Sequence, residues 1–169
     1  MIGNSHDDRG ARVSFEDAVA IVTGGSSRTG REVARTLAGW GWAIVVVYLQ
    51  DARRAEKTVA QILAADGRTV AVRADLADDL DVERLYAESI AAFGGIDVVV
   101  HTTTDGGSLL YQHAARQVRR RGAIVSVAQA DGVTLTVARQ LRERDISVRS
   151  GPGEAALTFL DRWRRQAIR

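Results

Sequence analysis

The sequence predicts an α/β domain built on a doubly wound parallel sheet. Three observations predict it. Short unbroken apolar runs alternate with amphipathic segments from Val19 to the end of the chain. The runs lack polar alternation, which suits strands buried on both faces. The first run also ends in a glycine-rich turn that leads directly into an amphipathic segment.

Taken in order, Val19 to Val22 is the first strand, and Arg31 to Trp40 a helix with Val33, Ala34, Leu37 and Ala38 on one face. Ala43 to Tyr48 is the second strand. Ala52 to Asp66 reads as a helix with Gly67 as its C-terminal cap. Thr69 to Val72 is the third strand and Asp81 to Phe93 a helix stopped by Gly94-Gly95. Ile96 to Val100 follows as a strand, then Ser108 to Arg121 as a helix with Leu109, Leu110, Ala114 and Val118 inward. Ala123 to Val127 is the fifth strand, Val133 to Arg144 a helix and Ile146 to Val148 the sixth strand. After the turn at Pro152, Glu154 to Ala167 is a last helix with Leu157, Leu160 and Trp163 inward. Strands alternating with helices imply right-handed βαβ units in three layers, αβα. About six strands in this order suit a 3-2-1-4-5-6 sheet with a crevice at its switch point.

Composition narrows the function classes. The 169 residues suit a single domain, read here as residues 13–169 behind a flexible polar leader, residues 1–12. There is no cysteine, so disulfides, thiolate metal sites and a Cys nucleophile are excluded. No His/Asp/Glu group has metal-ligand spacing, so no metal is expected. No apolar run is long enough to span a membrane, and the leader lacks a signal peptide's apolar region. A cytoplasmic protein is the expectation. Net charge is only +2, Lys57 is the sole lysine, and no aromatic-basic stripe is present. An arginine-rich solvated surface accounts for this better than nucleic-acid binding.

The turn after the first strand reads Thr23-Gly24-Gly25-Ser26-Ser27-Arg28-Thr29-Gly30. Glycines let a backbone approach a diphosphate, and a helix start offers free N–H groups and a positive dipole end. After the third strand comes Arg73-Ala74-Asp75-Leu76, after the fourth His101-Thr102-Thr103-Thr104, and the fifth strand lies in Arg121-Gly122-Ala123-Ile124-Val125-Ser126-Val127. From roughly Phe15 to Gly153 the chain resembles a shortened short-chain dehydrogenase/reductase, specifically in its first half and loosely in its second. The resemblance implies a Rossmann-like fold and NAD(P) binding. It implies that Thr23, Gly24, Ser26, Ser27, Arg28, Thr29 and Gly30 carry the phosphates, with Asp75 on the adenine edge and Leu76 beside the ring. It also implies a homodimer through the fourth and fifth helices, which read as carrying more apolar surface than one sheet face needs.

The departures from the family pattern bear on chemistry. Its phosphate loop, T-G-x-x-x-G-x-G, has a middle glycine where this chain has Arg28. That side chain either obstructs a pyrophosphate or clamps it, and obstruction is the reading preferred. The family's N-N-A-G is His101-Thr102-Thr103-Thr104 here, and a segment before the fourth helix is missing. Where the family has its catalytic Ser, the chain reads Val127-Ala128-Gln129, and no Y-x-x-x-K occurs. A phenol near its ordinary pKa of about 10 needs a neighbouring cation to act at neutral pH. Lys57 lies on the second helix, on the adenine side. His101 is the one acid/base candidate, although a histidine at a strand end ordinarily packs. Tyr111 and His113, two apart on a helix, face different sides. Arg53 and Arg54 follow the second strand, so NADP is slightly favoured over NAD. The expected function is an oxidoreductase-family NAD(P)-binding protein without the Ser-Tyr-Lys site, in effect a pseudoenzyme. The alternative is a non-catalytic interaction or scaffold protein that pairs with itself or a full-length relative and keeps a relic cofactor loop.

Overall fold

The computed structural model describes residues 17–127 and 133–166. The expected leader, and the Ala128-Gln129 stretch, lie outside the described residues.

The strands richest in β-branched residues take the centre of the sheet. These are β1 (Val19–Val22), β2 (Ala43–Tyr48) and β4 (Ile96–His101), buried at nearly every position. Around them β3 (Arg68–Arg73), β5 (Val118–Ser126) and β6 (Ser147–Ser150) complete a six-stranded sheet of order β3-β2-β1-β4-β5-β6. All five pairings are parallel, and chain order reverses between β1 and β4, as the sequence predicts. One face is covered by α1 (Arg28–Gly39), α2 (Ala52–Ala64) and α6 (Gly153–Gln166), the other by α3 (Asp79–Phe93), α4 (Gly107–Gln117) and α5 (Leu135–Glu143). Each helix buries one stripe, such as Val33, Ala34 and Leu37 of α1.

Caps set most helix ends. Ser27 Oγ accepts the Gly30 N–H, so α1 starts at Arg28 rather than at Arg31. Asp78 accepts the N–H groups of Leu80 and Asp81 and starts α3 two residues early. Gly94, at φ 82°, ends α3 as expected. At the end of α2 the left-handed residue is Asp66, not Gly67; Gly67 instead donates its N–H to Ile62, against which a Cβ would collide.

The largest correction concerns α4. It ends at Gln117, and Val118 already pairs with Ile96 in β5. The next regular pair is Val98 with Ala123, so Arg119, Arg120, Arg121 and Gly122 form a bulge. Arg121 is left-handed at φ 65°, and its side chain, like those of Arg119 and Arg120, is exposed. These arginines therefore belong to a strand bulge, not to a basic helix end. Nor do α4 and α5 show the expected apolar surplus. Leu135 is 90% exposed, but the other outward residues are polar, among them Ser108, Arg116, Gln117, Arg139 and Arg142.

At the N-terminal edge of the sheet, Asp97 is buried and accepts the Val19 N–H at 2.8 Å and Arg119 Nη1 at 3.2 Å. Trp40, Trp42 and Trp163 pack edge to face nearby, with centroid spacings of 5.6 and 5.8 Å, and serve as core packing.

Candidate functional site

The turn from β1 into α1 is fixed by contacts within the chain. Gly24 is left-handed at φ 65°, and a Cβ there would strike Thr102 Oγ1. A Cβ on Gly30 would strike the Gly24 carbonyl. Both glycines are thus required by the close approach of loop, helix and β4 before any ligand is considered. Thr23 is fully buried beneath them. Its Oγ1 accepts the Thr102 N–H at 3.1 Å and lies 2.9 Å from His101 Nδ1, while Thr102 Oγ1 donates to the Thr23 carbonyl at 2.8 Å. This cross-link fastens the two loops on either side of the switch point.

A groove of about 570 Å³ opens at the C-terminal edge of the strands. Gly24, Ser26 and Ser27 line one end, and Tyr48, Asp51 and Arg54 the side beyond β2. Asp75 and Leu76 line the side beyond β3, with Thr103, Asp105 and Gly106 opposite. The N–H groups of Arg28 and Thr29, in the first turn of α1, have no protein acceptor among the described residues. The site therefore presents main-chain donors and a helix start to an anion.

The structure brings Gly24, Ser26, Ser27, Asp75 and Leu76 together around the groove. Thr23 and Gly30 support it from below. Arg28 leaves it: its side chain is 86% exposed and its Nε pairs with Glu32 Oε1 at 3.0 Å, one helical turn on. It neither fills nor spans the groove, because the i, i+4 partner on α1 draws it outward. Thr29, beside it in the first turn, does not line the groove either. Asp75 Oδ1 accepts the Ala77 N–H, and the Asp75 N–H donates to Asp81 Oδ2. That hydrogen bond, and then Arg84, hold the Asp81 carboxyl below its ordinary pKa.

His101 faces inward and is not among the groove's lining residues. Its ring meets Tyr111 edge to face at 5.8 Å. Burial holds the imidazole below its ordinary pKa, against an opposing pull from the Asp105 backbone and carboxylate. His113 has other partners: it lies 2.8 Å from Asp79, and its ring stacks on that of Tyr86 at 5.8 Å. Among the described residues no His/Asp/Glu group is placed to hold a metal.

Asp51, on the groove side beyond β2, is a lining residue that the sequence reading does not name. Asp51 is left-handed at φ 59°, caps α2 by accepting the Arg54 N–H, and pairs with Arg54 Nε at 3.0 Å. Its position before a helix was a legible capping signal. Arg53 does not line the groove.

The geometry has known counterparts. The short chain dehydrogenase family model matches residues 18–120, more than half of the chain. The 3-oxoacyl-[acyl-carrier-protein] reductase of Synechocystis is 39% identical over 83 residues, 49% of this chain and 34% of the relative. The short chain dehydrogenase claC of Passalora fulva is 39% identical over 86 residues, 51% of this chain and 32% of the relative. The matched stretch thus spans about a third of the length of these curated relatives. Among solved structures, a dehydrogenase/reductase from Sinorhizobium meliloti superposes with TM-score 0.67 at 27% identity, covering 81% of this chain and 73% of that one. A short chain dehydrogenase from Burkholderia cenocepacia in complex with NADP superposes with TM-score 0.65 at 26% identity, covering 87% and 81%. With the phosphate loop, the 3-2-1-4-5-6 sheet and the family match in agreement, this chain belongs to the short chain dehydrogenase family.

Proposed function

We propose that this chain binds a nicotinamide dinucleotide and lacks the Ser-Tyr-Lys site that would make it an ordinary dehydrogenase. The observation that carries the reading is the groove, which places unpaired helix-start N–H groups beside Ser26, Ser27, Asp75 and Leu76. Those residues fit the cofactor. The loop from Thr23 to Gly30 would hold its phosphates through main-chain donors, while Asp75 and Leu76 would hold its adenine. Arg54 lines the groove beyond β2, paired with Asp51 at 3.0 Å, and a 2′-phosphate would compete for it, so NADP(H) is favoured over NAD(H).

Bound, the nicotinamide would donate or accept a hydride. This chain's own residues offer poor proton transfer to go with it. Tyr86 is buried, donates to the Leu110 carbonyl at 2.8 Å, and burial pushes its phenol well above the ordinary range. Tyr111 is buried beneath His101. Tyr48 is the tyrosine that lines the groove. The single lysine, Lys57, sits on the exposed face of α2, and α2 packs beside β2 and β3. No lysine remains elsewhere in the chain to lower a phenol's pKa.

A melting series with NAD, NADH, NADP and NADPH tests the reading. The expected result is a rise in midpoint, larger for the 2′-phosphorylated pair, because a ligand that binds only the folded state stabilises it. No rise with any of the four overturns dinucleotide binding and favours the non-catalytic interaction protein. Turnover of simple ketones or alcohols at about 1 per second or faster would overturn the loss of chemistry.

A further inference from the structure

Charge is divided unevenly along this chain. From Asp17 to Ala115 it carries nine basic and thirteen acidic side chains; from Arg116 to Gln166 it carries eleven arginines and five acidic side chains. The fold gathers part of this basic charge in one place. All six strands run the same way, so strand starts and helix ends gather at one edge. Arg116 lies in the last turn of α4, the Arg119–Arg121 bulge follows Val118 at the start of β5, and Arg142 lies in the last turn of α5. Contacts join these elements into one surface. The Arg121 N–H donates to the Arg144 carbonyl, Arg144 Nη1 to the Ala115 carbonyl, and Trp163 Nε1 of α6 to the Arg121 carbonyl.

Part of this charge is neutralised in place. Arg119 is held by Asp97, and Arg164 and Arg165 by Asp161. Arg120 lies 3.8 Å from Asp145 with both side chains about two-thirds exposed. Arg116, Arg121 and Arg142 have no carboxylate partner among the described residues. Arg121, left-handed at φ 65° and exposed, is the one arginine of the bulge without a carboxylate partner among the described residues.

The opposite edge carries the complement. At the start of α3, Asp78, Asp79, Asp81 and Glu83 fall within six residues that include no basic residue; Asp78 caps the helix, Asp79 lies 2.8 Å from His113, Asp81 pairs with Arg84, and Glu83 has no cationic partner among the described residues, with Leu80 74% exposed among them. The two surfaces lie at opposite ends of the strands and cannot meet within one molecule. We propose that the arginine edge of one copy of this chain docks head to tail on the acidic start of α3 in a second copy. Such a contact is heterologous and propagates into a ring or an open chain. Exposed ion pairs are individually weak and screened, so the association is salt-labile. It does not depend on dinucleotide binding.

Sedimentation velocity over a range of protein concentrations tests this, at about 0.01 M and about 1 M salt, where the screening length changes about tenfold. The expected result is concentration-dependent association at low salt and monomer at high salt. Arg116→Glu with Arg120→Glu should abolish it, and so should Asp79→Arg with Glu83→Arg in a separate protein. An equimolar mixture of these two variants restores opposite charges at every contact and should associate again. Circular dichroism confirms that each variant is folded. A wild-type monomer at every concentration in low salt, association that survives in either variant, or a mixture that stays monomeric would each overturn the proposal. None of these outcomes bears on the dinucleotide melting series, so the two readings fail separately.

Discussion

Asp97 and Arg119 hold the start of three strands together. Asp97 is buried in β4, accepts the backbone N–H of Val19 in β1, and receives Arg119 Nη1 from the β5 bulge. Asp97→Ala leaves a buried N–H without an acceptor, and that loss costs about 1–3 kcal/mol. The half-exposed arginine turns back to water and adds little. Asp97→Asn keeps an acceptor for Val19 and should cost less. Urea unfolding of both variants checks the order.

Gly30 tests whether the loop is a packing device first. A Cβ there meets the Gly24 carbonyl, which is backbone and cannot rotate away. Gly30→Ala should therefore destabilise the protein by about 1–3 kcal/mol, on the scale of overpacking. It should also weaken dinucleotide binding through the displaced loop. Calorimetric melting without ligand separates the first effect from the second.

Arg28 is turned outward to Glu32. Arg28→Gly is accordingly expected to change dinucleotide affinity by less than about threefold, since exposed i, i+4 pairs contribute only a few tenths of a kcal/mol. Titration calorimetry decides it. A tenfold gain would restore the obstruction reading, and a tenfold loss would show that the side chain swings back to clamp a phosphate.

His101 sets a pH dependence. Burial holds its folded-state pKa below the ordinary 6.5, so the unfolded chain takes up the proton first. Its contribution to stability is complete above about pH 6.5 and is lost as pH falls from there towards the folded value. Protonation would place a charge between Thr23 and Tyr111, with only Asp105 to offset it. Melting midpoints between about pH 7 and pH 5 should fall, and His101→Gln should flatten that slope. An unchanged slope in the variant assigns the effect to other groups.

Much of this molecule was legible before its structure. The Val-Ile runs of β1, β2 and β4 have no polar face to place in water, and that alone demands a covered parallel sheet. The order of elements and the glycine turn then fixed the switch point and the groove. What stayed hidden depended on partners distant in sequence. Arg119 to Arg121 look like a helix terminus until Asp97, more than twenty residues earlier, is seen to draw Arg119 across. His101 stands in the sequence as the one acid/base candidate because its partner, Thr23, lies 78 residues away. The outward course of Arg28 follows from Glu32, four residues on, rather than from the loop itself.

The three tryptophans have a practical side. Trp40, Trp42 and Trp163 are all the indoles in the chain, and they form one edge-to-face cluster, with the Arg164 guanidinium 4.6 Å from the centre of the Trp40 ring. They join α1, β2 and α6 at the edge away from the groove. Intrinsic emission therefore watches a single corner of the molecule. It will report detachment of α6 sensitively, and it will be nearly silent about events beside Ser26 and Asp75. A flat fluorescence titration with a nucleotide would say where the chromophores sit rather than whether anything had bound.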